Sequence, residues 1–363
     1  MTLFRLVADD LTGALDTSAQ FAGLVGPVPV LVDPKAARPG TSFAINMSCR
    51  DGEETAAIAA TRDTVAALTG ADIAFKKIDS LLRGHWAAEL AEIVRSGLFR
   101  RVVLAPAFPA QRRMTIGGRQ VVADATGAIK LVAEPATALA RHGIAIATET
   151  TNPLADQGTK VLLLDATADD ELDGIVARHR GAAGTLWCGA AGLARALAGR
   201  PVPVVASPPG SHFVLVGSHH HVTRRQIAAF LEHSKEPIVR YGADVAASAR
   251  AIAARLSASG RCVAMPDLPD GIDGAEAARL IARRIDGLAD EMPPPDVLTV
   301  VGGETFASLC AALGADRLVA MGESEPGIPA SRMDAGRWTG VPCFSKSGAF
   351  GGEDWLVRQL AVV

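Results

Sequence analysis

The sequence predicts an α/β protein made of two α/β domains with mostly parallel sheets. Short apolar runs with the length of buried strands alternate with longer stretches of helical spacing along the chain. The length of 363 residues, set against about 150 residues for an average domain, suggests two domains. A Pro-rich segment at residues 201–210 interrupts the alternation and is the best linker candidate. We therefore predict domains at residues 1–207 and 208–363.

The elements of the first domain follow from apolar periodicity. Residues 3–8 form a continuous apolar run that predicts a buried strand, and residues 11–24 carry apolar side chains three and four positions apart, which predicts a helix. The predicted strands are 3–8, 29–32, 42–47, 73–78, 101–104 and 161–164, and the predicted helices are 11–24, 53–68, 86–94 and 191–197.

The second domain repeats this alternation after the Pro-rich segment. The predicted strands are 213–216, 238–240, 262–265 and 297–301, and the predicted helices are 223–231, 246–256, 274–288 and 305–312. Strands that alternate with helices indicate parallel pairing, with helices covering both faces of the sheet.

Composition excludes several classes of protein. There are 36 Lys and Arg residues against 39 Asp and Glu residues, a net charge of −3, whereas a nucleic-acid-binding protein is normally basic. The five cysteines form no CxxC pair, which is typical of a reduced, cytoplasmic chain. No apolar run approaches the roughly 18 residues that a membrane span needs. We therefore expect a cytoplasmic protein whose partner is a small molecule, with no nucleic acid and no membrane. A homodimer is a candidate assembly, and the sequence leaves the oligomeric state open.

Two acidic residues, Asp9 and Asp10, directly follow the first predicted strand. Open α/β sheets bind ligands at the carboxyl ends of their strands. Two carboxylates there could bind Mg²⁺, hold substrate hydroxyls or accept a proton, so both residues are catalytic candidates. The structural alternative is that Asp10 caps the following helix and interacts favourably with its dipole.

A second group of polar residues lies at the end of the strand at 73–78 and in the loop after it. This group consists of Lys77, Asp79, Ser80, Arg83 and Gly84. A guanidinium can bind a carboxylate or phosphate through two parallel hydrogen bonds, and a lysine adds a point charge. We expect a substrate-binding loop here, in which Arg83 and Lys77 hold an anion and Asp79 is a further candidate base. A solvated turn capped by Asp79 or Ser80 is the alternative.

A rigid loop follows the strand at 101–104. Its two prolines, Pro106 and Pro109, fix its path, and Arg112 and Arg113 after them could face an anion. On its own this loop is only a weak indication of an anion-binding site.

Three glycine-rich turns in the second domain indicate a phosphate site. They contain Ser218, Gly302, Gly303, Glu304, Thr305, Lys346 and Gly348. Backbone N–H groups that no side chain shields bind phosphate, and a lysine could meet its charge. No turn matches the P-loop or the GxGxxG pattern, and each alone could be only a tight turn. Together they predict a nucleotide-binding site.

Other conspicuous residues predict no chemistry. Consecutive side chains point in different directions, so we expect no metal at His219, His220 and His221. The cysteines have no evident base beside them, which argues against thiol catalysis. Three tryptophans are expected in the core: Trp86, Trp187 and Trp338.

Taken together, these motifs resemble the four-carbon acid sugar kinase family, which phosphorylates erythronate, threonate and 3-oxo-tetronate with ATP. The matching stretches are 8–16, 77–84, 106–111, 189–194, 217–218 with 222–223, 302–305, 325–329 and 346–348. They occur in the order of the family and extend over nearly the whole chain.

The resemblance implies an N-terminal acid-sugar domain and a C-terminal nucleotide domain with a cleft between them. On the sugar side it implies Asp9, Asp10, Lys77, Asp79 and Arg83, and for ATP it implies Ser218, the turn from Gly302 to Thr305, and Gly348. The chain departs from the family where His219 and His220 replace a usual Cys-Ser pair.

We therefore predict a cytoplasmic ATP-dependent kinase that phosphorylates a hydroxyl of a four-carbon sugar acid. One of Asp9, Asp10 and Asp79 accepts the hydroxyl proton, and Mg²⁺ bound to the phosphates is held through water by Glu304 or Glu325. Two other functions stay open: a two-lobed sugar-acid sensor without catalysis, and a nucleotide-dependent oxidoreductase. An ATP-turnover assay distinguishes the kinase from the sensor. The absence of a GxGxxG pattern after the first strand counts against the oxidoreductase.

Overall fold

The computed structural model describes residues 2–124, 126–147, 160–234, 236–269 and 271–360. The chain divides into two compact units, residues 1–202 and 203–363. Both are α/β units with mostly parallel sheets, which confirms the predicted fold class.

The first unit contains one parallel sheet and a small antiparallel sheet. Its strands are β1 (Phe4–Ala8), β2 (Val28–Leu31), β3 (Phe43–Asn46), β4 (Ile73–Lys77), β5 (Arg101–Ala105), β6 (Arg113–Ile116), β7 (Arg119–Ala123), β8 (Ile129–Ala133), β9 (Ile146–Ala147), β10 (Lys160–Leu163) and β11 (Thr185–Gly189). Its helices are α1 (Leu11–Val25), α2 (Glu54–Thr64), α3 (Trp86–Arg95), α4 (Pro135–Ala140), α5 (Asp169–His179) and α6 (Ala191–Ala198).

The parallel sheet of the first unit has the order β2-β3-β1-β4-β11-β5-β10-β9. The central strands β1 and β4 are buried along their whole length, as the sequence predicts for a sheet covered on both faces, although β1 contains Arg5 and β4 ends in Lys76 and Lys77. Helices α1 and α5 pack against α6, whereas α2 and α4 pack against α3, so the helices form two groups. Because β1 lies between β3 and β4, the carboxyl ends of these three strands meet at one edge.

The second unit contains a mixed sheet of order β13-β14-β12-β15-β18-β17-β16. Its strands are β12 (His212–Val216), β13 (Val239–Tyr241), β14 (Arg261–Pro266), β15 (Val297–Val301), β16 (Arg317–Glu325), β17 (Ile328–Met333) and β18 (Pro342–Lys346). Its helices are α7 (His221–His233), α8 (Val245–Ser259), α9 (Gly274–Glu291), α10 (Gly303–Leu313) and α11 (Trp355–Gln359). The strands from β13 to β18 in the sheet order are parallel, and β17 pairs antiparallel with both β16 and β18.

Some elements differ from the prediction. The helix predicted at 53–68 ends at Thr64 and continues as a 3₁₀ turn, Val65–Leu68. The hydroxyl of Thr64 donates to the carbonyl of Ala60, in competition with the backbone bonds that would extend the helix.

Apolar periodicity did not predict the antiparallel strands, because their pairing is set by the hairpin turns that connect them. Gly117 and Gly118 connect β6 to β7, and both have positive φ, the conformation that a two-residue hairpin turn requires. The Gly-Gly pair was therefore a readable signal.

No helix among the described residues has both the length and the apolar character needed to cross a membrane. The three tryptophans Trp86, Trp187 and Trp338 are buried in the core, as predicted.

Candidate functional site

Charged residues gather at the carboxyl edge of the first sheet. Asp9 and Asp10 follow β1, and Lys77 is the last residue of β4, in register with Ala8. The neighbouring strand β3 leads to Arg50, whose N–H donates to the Asp9 carbonyl at 3.2 Å. The carboxylates predicted from the sequence therefore lie beside a cation from each flanking strand.

Arg50 joins both acidic residues. Its Nε and Nη2 donate to Oδ2 and Oδ1 of Asp9 at 2.8 and 2.7 Å. Its Nη1 lies 2.5 Å from Oδ2 of Asp10. Sequence reasoning missed Arg50, because no local pattern shows that the loop after β3 lies beside β1.

The two neighbouring carboxyls differ in exposure and in acidity. The Asp9 side chain is 1% exposed, against 23% for Asp10. Burial opposes ionisation of Asp9, but the charge and hydrogen bonds of Arg50 outweigh it and hold the pKa of that carboxyl below its ordinary value.

For Asp10, burial outweighs the Arg50 charge, and the Asp9 charge adds to it, so the pKa is raised. Asp10 also accepts a hydrogen bond from the N–H of Gly13 at 2.9 Å, which caps α1 as the structural alternative suggested.

The loop after β4 holds a second ion pair. Arg83 donates through Nε and Nη2 to the two oxygens of Asp79, at 3.1 and 2.7 Å. Burial would raise the pKa of Asp79, but these bonds and charges hold it well below its ordinary value. The Arg83 side chain is 63% exposed, and one edge of its guanidinium, formed by Nε and Nη2, already binds Asp79.

Neighbouring loop residues support this arrangement. The hydroxyl of Ser80 accepts from Arg113 Nη1 at 2.5 Å, and the carbonyl of Ser80 accepts from Gln120 at 2.7 Å. Gly84 has φ of +76°, and a Cβ there would lie 3.0 Å from the Arg50 side chain. Of the two arginines predicted as anion partners, Arg113 reaches this loop, whereas Arg112 donates to the Asp124 carbonyl.

Lys77 differs from the three arginines of this edge because its side chain has no protein partner among the described residues. The residue is 5% exposed, and within the described part of the chain its ammonium makes no hydrogen bond and no ion pair. A Cβ on Gly13 would lie 2.9 Å from Nζ, so the glycine of α1 leaves room for the amine. Its positive charge lowers the pKa of Asp9, Asp10 and Asp79. An ammonium without a protein partner, on a largely buried residue, suits an anionic ligand.

Asp16, on α1, is a further buried carboxyl that no part of the sequence analysis singled out as a candidate. It is 8% exposed, and its Oδ1 has no hydrogen-bond partner among the described residues. Burial raises its pKa to about 6, against the opposing charges of Lys77 and Arg113.

Asp16→Asn is expected to stabilise the protein at pH 8 but not at pH 4. The native carboxyl keeps its proton up to about pH 6, whereas the unfolded chain releases it near pH 3.8, so stability falls as the pH rises through this window. Above this window, ionisation of the buried carboxyl lowers the free energy of unfolding by about 3 kcal/mol. The amide of the variant does not ionise, so the variant does not lose this stability. Urea denaturation at both pH values measures it. Asp63→Asn, on the exposed face of α2, is the matched control, and an equal gain at both pH values would contradict the assignment.

In the second unit the three glycine-rich turns meet at one sheet edge. The strands β12, β15 and β18 are neighbours, with Val216 opposite Val301 and Val301 opposite Lys346. The N–H of Gly217 donates to the Val301 carbonyl and that of Gly302 to the Lys346 carbonyl, each at 2.9 Å. The residues predicted to bind nucleotide are therefore brought together.

Close packing explains the glycines of this edge. A Cβ on Gly217 would collide with the side chain of Thr305, and one on Gly348 would collide with Ser218. Gly302 has φ of +124°, which side-chain-bearing residues rarely adopt. The turns pack so closely that only glycine fits.

A cavity of about 270 Å³ lies beside these turns. It has a polar wall made by the turns and the first turn of α10, and an apolar wall made by α9. Its lining includes Gly217, Ser218, His219, Gly302, Gly303, Glu304, Thr305, Ala277, Ala278 and Ile281. The start of a helix on one side and small apolar side chains on the other suit a ligand with both phosphate and ring.

The predicted side chains of this edge differ in exposure and in the contacts they make. Glu304 is exposed in the first turn of α10, whereas both oxygens of Glu325 accept from Arg358, at 3.1 and 2.9 Å. Lys346 is 1% exposed, and desolvation lowers its pKa to about 7. The ring of His220 caps α7 and lies against that of His221.

The cysteines take no part in either cluster. All five are buried and free of disulfides. Burial raises the pKa of Cys188 and Cys310 to about 12, which leaves them as thiols.

Comparisons with known proteins match one domain family to each part of the chain. Residues 4–145 match the family model of a sugar-binding N-terminal domain, and residues 213–356 match that of a nucleotide-binding C-terminal domain. A D-threonate kinase from Cupriavidus necator is 32% identical over 96% of this chain and 95% of its own. A D-threonate kinase from Bordetella bronchiseptica is 30% identical over 99% of this chain and 96% of its own.

Solved structures share the fold. A protein from Salmonella typhimurium LT2, described as a tRNA synthase, has a TM-score of 0.75 at 20% identity, over 99% of this chain and 98% of its own. A Haemophilus influenzae protein has a TM-score of 0.69 at 18% identity, over 99% of both chains.

A sugar-binding domain joined to a nucleotide-binding domain defines a class of two-domain sugar kinases. The chain belongs to the four-carbon acid sugar kinase family. This confirms the family predicted from the motifs.

Proposed function

We propose that the protein transfers the terminal phosphoryl group of ATP to a hydroxyl of a four-carbon sugar acid, with D-threonate as the first candidate. The relatives named D-threonate kinase support this substrate class. The observation that carries the proposal is the ammonium of Lys77, a residue that is only 5% exposed. It has no protein partner in the described chain and lies among carboxylates that can bind hydroxyls.

Lys77 is the residue we assign to the substrate carboxylate. An anion that enters a largely buried site is stabilised best by a cation that is not already paired with a carboxylate of the protein. Arg50 and Arg83 each bind an aspartate through two nitrogens, so their charges are already balanced. Arg83 and Ser80 then line the site as neighbours of Asp79.

Asp10 is the residue we assign as general base. A base needs an accessible oxygen and a pKa that lets it hold the proton it removes. Asp9 and Asp79 are buried in two-point ion pairs that lower their pKa, whereas Asp10 is more exposed and its pKa is raised. Asp10 accepts the hydroxyl proton as the oxygen bonds to the γ-phosphorus, the bond to the bridging oxygen breaks, and ADP leaves.

The glycine turns of the second unit are assigned to ATP. The start of α10 at Gly303, where a helix leaves N–H groups without helical partners, is assigned to phosphate, and Ser218 and Thr305 line the same cavity. Mg²⁺ enters as part of the MgATP substrate and keeps most of its water, so the exposed Glu304 fits it through water better than Glu325 does.

The domain boundary near residue 208 and a cytoplasmic location remain parts of this proposal. Free, buried cysteines and the use of ATP support the cytoplasm.

A coupled assay of ADP release tests the proposed function. The substrates are the D and L forms of threonate and erythronate, together with 3-oxo-tetronate, each with MgATP. We expect acid-dependent release, with kcat/KM for D-threonate at least tenfold above the other acids. Sugar-acid binding without any ADP release would support the sensor instead, and release that no acid increases would contradict the proposal.

A further inference from the structure

The loop at residues 347–352, after β18, is held from beneath by a buried ammonium. The Nζ of Lys346 donates to the carbonyls of Ser347 and Phe350, at 3.1 and 2.9 Å. The same nitrogen lies 5.1 Å from the centre of the Trp355 ring. Lys346 therefore directs its amine into the underside of the loop.

Two neutral side chains of α7 bind further carbonyls of this loop. Gln226 Nε2 lies 3.0, 3.1 and 2.9 Å from the carbonyl oxygens of Phe350, Gly351 and Gly352. The hydroxyl of Thr223 donates to the Gly348 carbonyl at 2.9 Å. Gln226 and Thr223 are 1% and 2% exposed, so these bonds are made inside the protein.

The direction of the loop amides follows from peptide geometry. In a trans peptide the C=O of one residue and the N–H of the next point in opposite directions, and the described chain contains no cis peptide. Interior donors hold the carbonyls of residues 347, 348, 350, 351 and 352. The N–H groups of residues 348, 349, 351, 352 and 353 therefore point away from those donors.

These five amides are also unoccupied. Within the ranges that the structure describes, none of them donates a hydrogen bond. The N–H of Phe350 is different, because it donates to Ser347 at 3.1 Å within the loop. Several free amides on one face of a short loop form an anion-binding concavity.

Glycine at position 351 permits the close seating of the loop. Gly351 has φ of +81°, and a Cβ there would lie 3.1 Å from Gln226 Nε2 and 3.2 Å from the Trp355 ring. The loop thus lies directly on α7 and α11.

We propose that Lys346, Gln226 and Thr223 are positioning residues, which hold the carbonyls of the 347–352 loop so that its amides form a nest for a nucleotide phosphate. This inference rests on the proposed function and deepens it. Lys346 acts through the loop and not by touching phosphate. The donors to the anion are backbone N–H groups, and each is opposed across its peptide by a fixed carbonyl.

The test compares inorganic tripolyphosphate, ADP and adenosine by calorimetry on the full chain. In Gln226→Leu, Kd for tripolyphosphate and for ADP is expected to rise at least tenfold, while that for adenosine changes less than twofold. Arg224→Leu, on the exposed face of the same helix, is the matched control and is expected to change neither. The milder Thr223→Val removes one bond and is expected to raise Kd for tripolyphosphate about threefold, should Gln226→Leu not fold.

Hydrogen exchange locates the anion. Tripolyphosphate is expected to slow exchange at residues 348–353 in the unaltered protein and not in Gln226→Leu. Protection elsewhere, or unchanged tripolyphosphate binding in both folded variants, would overturn the inference. If the protein binds tripolyphosphate at the loop but shows no sugar-acid-dependent ADP release, the proposed function fails and the nest stands. If it is an active kinase whose phosphate protection lies elsewhere, the nest alone fails.

Discussion

Asp10→Asn is expected to lower kcat for the sugar acid by a factor of about 10² to 10⁴, the usual contribution of a positioned general base. The amide cannot take the hydroxyl proton. It can still accept the hydrogen bond from Gly13, because asparagine caps helices about as well as aspartate does. Steady-state kinetics with each substrate varied in turn measures the effect, and KM for ATP is expected to stay nearly constant.

The pH profile separates a base from a merely structural residue. A base must be ionised, so kcat/KM of the unaltered enzyme rises with pH through the Asp10 pKa, which burial places above the ordinary value of 3.8. This acid limb is expected to disappear in Asp10→Asn. A variant that keeps both kcat and the acid limb would remove Asp10 from the chemistry and leave Asp16 as the next carboxyl to test.

Strand ends could be predicted from the sequence because they depend on local patterns. The apolar run of β1 stops at Ala8, so Asp9 and Asp10 had to lie at the edge of a sheet, whichever strands lay beside it. The same reasoning found Lys77 at the end of β4 and the glycine turns after β12 and β15. The turn after β18 was identified from its glycines and lysine alone, because no strand was predicted before it.

Partners could not be predicted, because they depend on strand order. Arg50 reaches Asp9 only because β3 pairs with β1, a neighbour relation that no local pattern contains. For the same reason, the sequence could not show that Arg83 is already bound to Asp79 or that the Lys346 amine faces its own loop. Residue types in a motif indicate chemistry, but their availability depends on tertiary contacts.

Lys77→Met is expected to raise the KM for the sugar acid by about 10 to 100-fold, which corresponds to the loss of one charge-assisted hydrogen bond. KM for ATP is expected to change less than twofold. Methionine fills a similar volume, so the packing around position 77 is kept, although the neighbouring carboxylates lose a favourable charge. Thermal unfolding checks this point, and steady-state kinetics measures both constants.

Arg83→Met is the matched comparison, because Arg83 lies in the same loop and carries the same charge. Its guanidinium already binds Asp79 and is 63% exposed, so we expect the KM for the sugar acid to rise less than about fivefold. The opposite order, a large effect at Arg83 and a small one at Lys77, would transfer the substrate carboxylate to the arginine. The pH profile gives a second, independent readout. The Lys77 charge lowers the pKa of Asp10, so its removal should shift the acid limb of kcat/KM to higher pH, whereas an effect of Lys77 on substrate binding alone would leave that limb where it is.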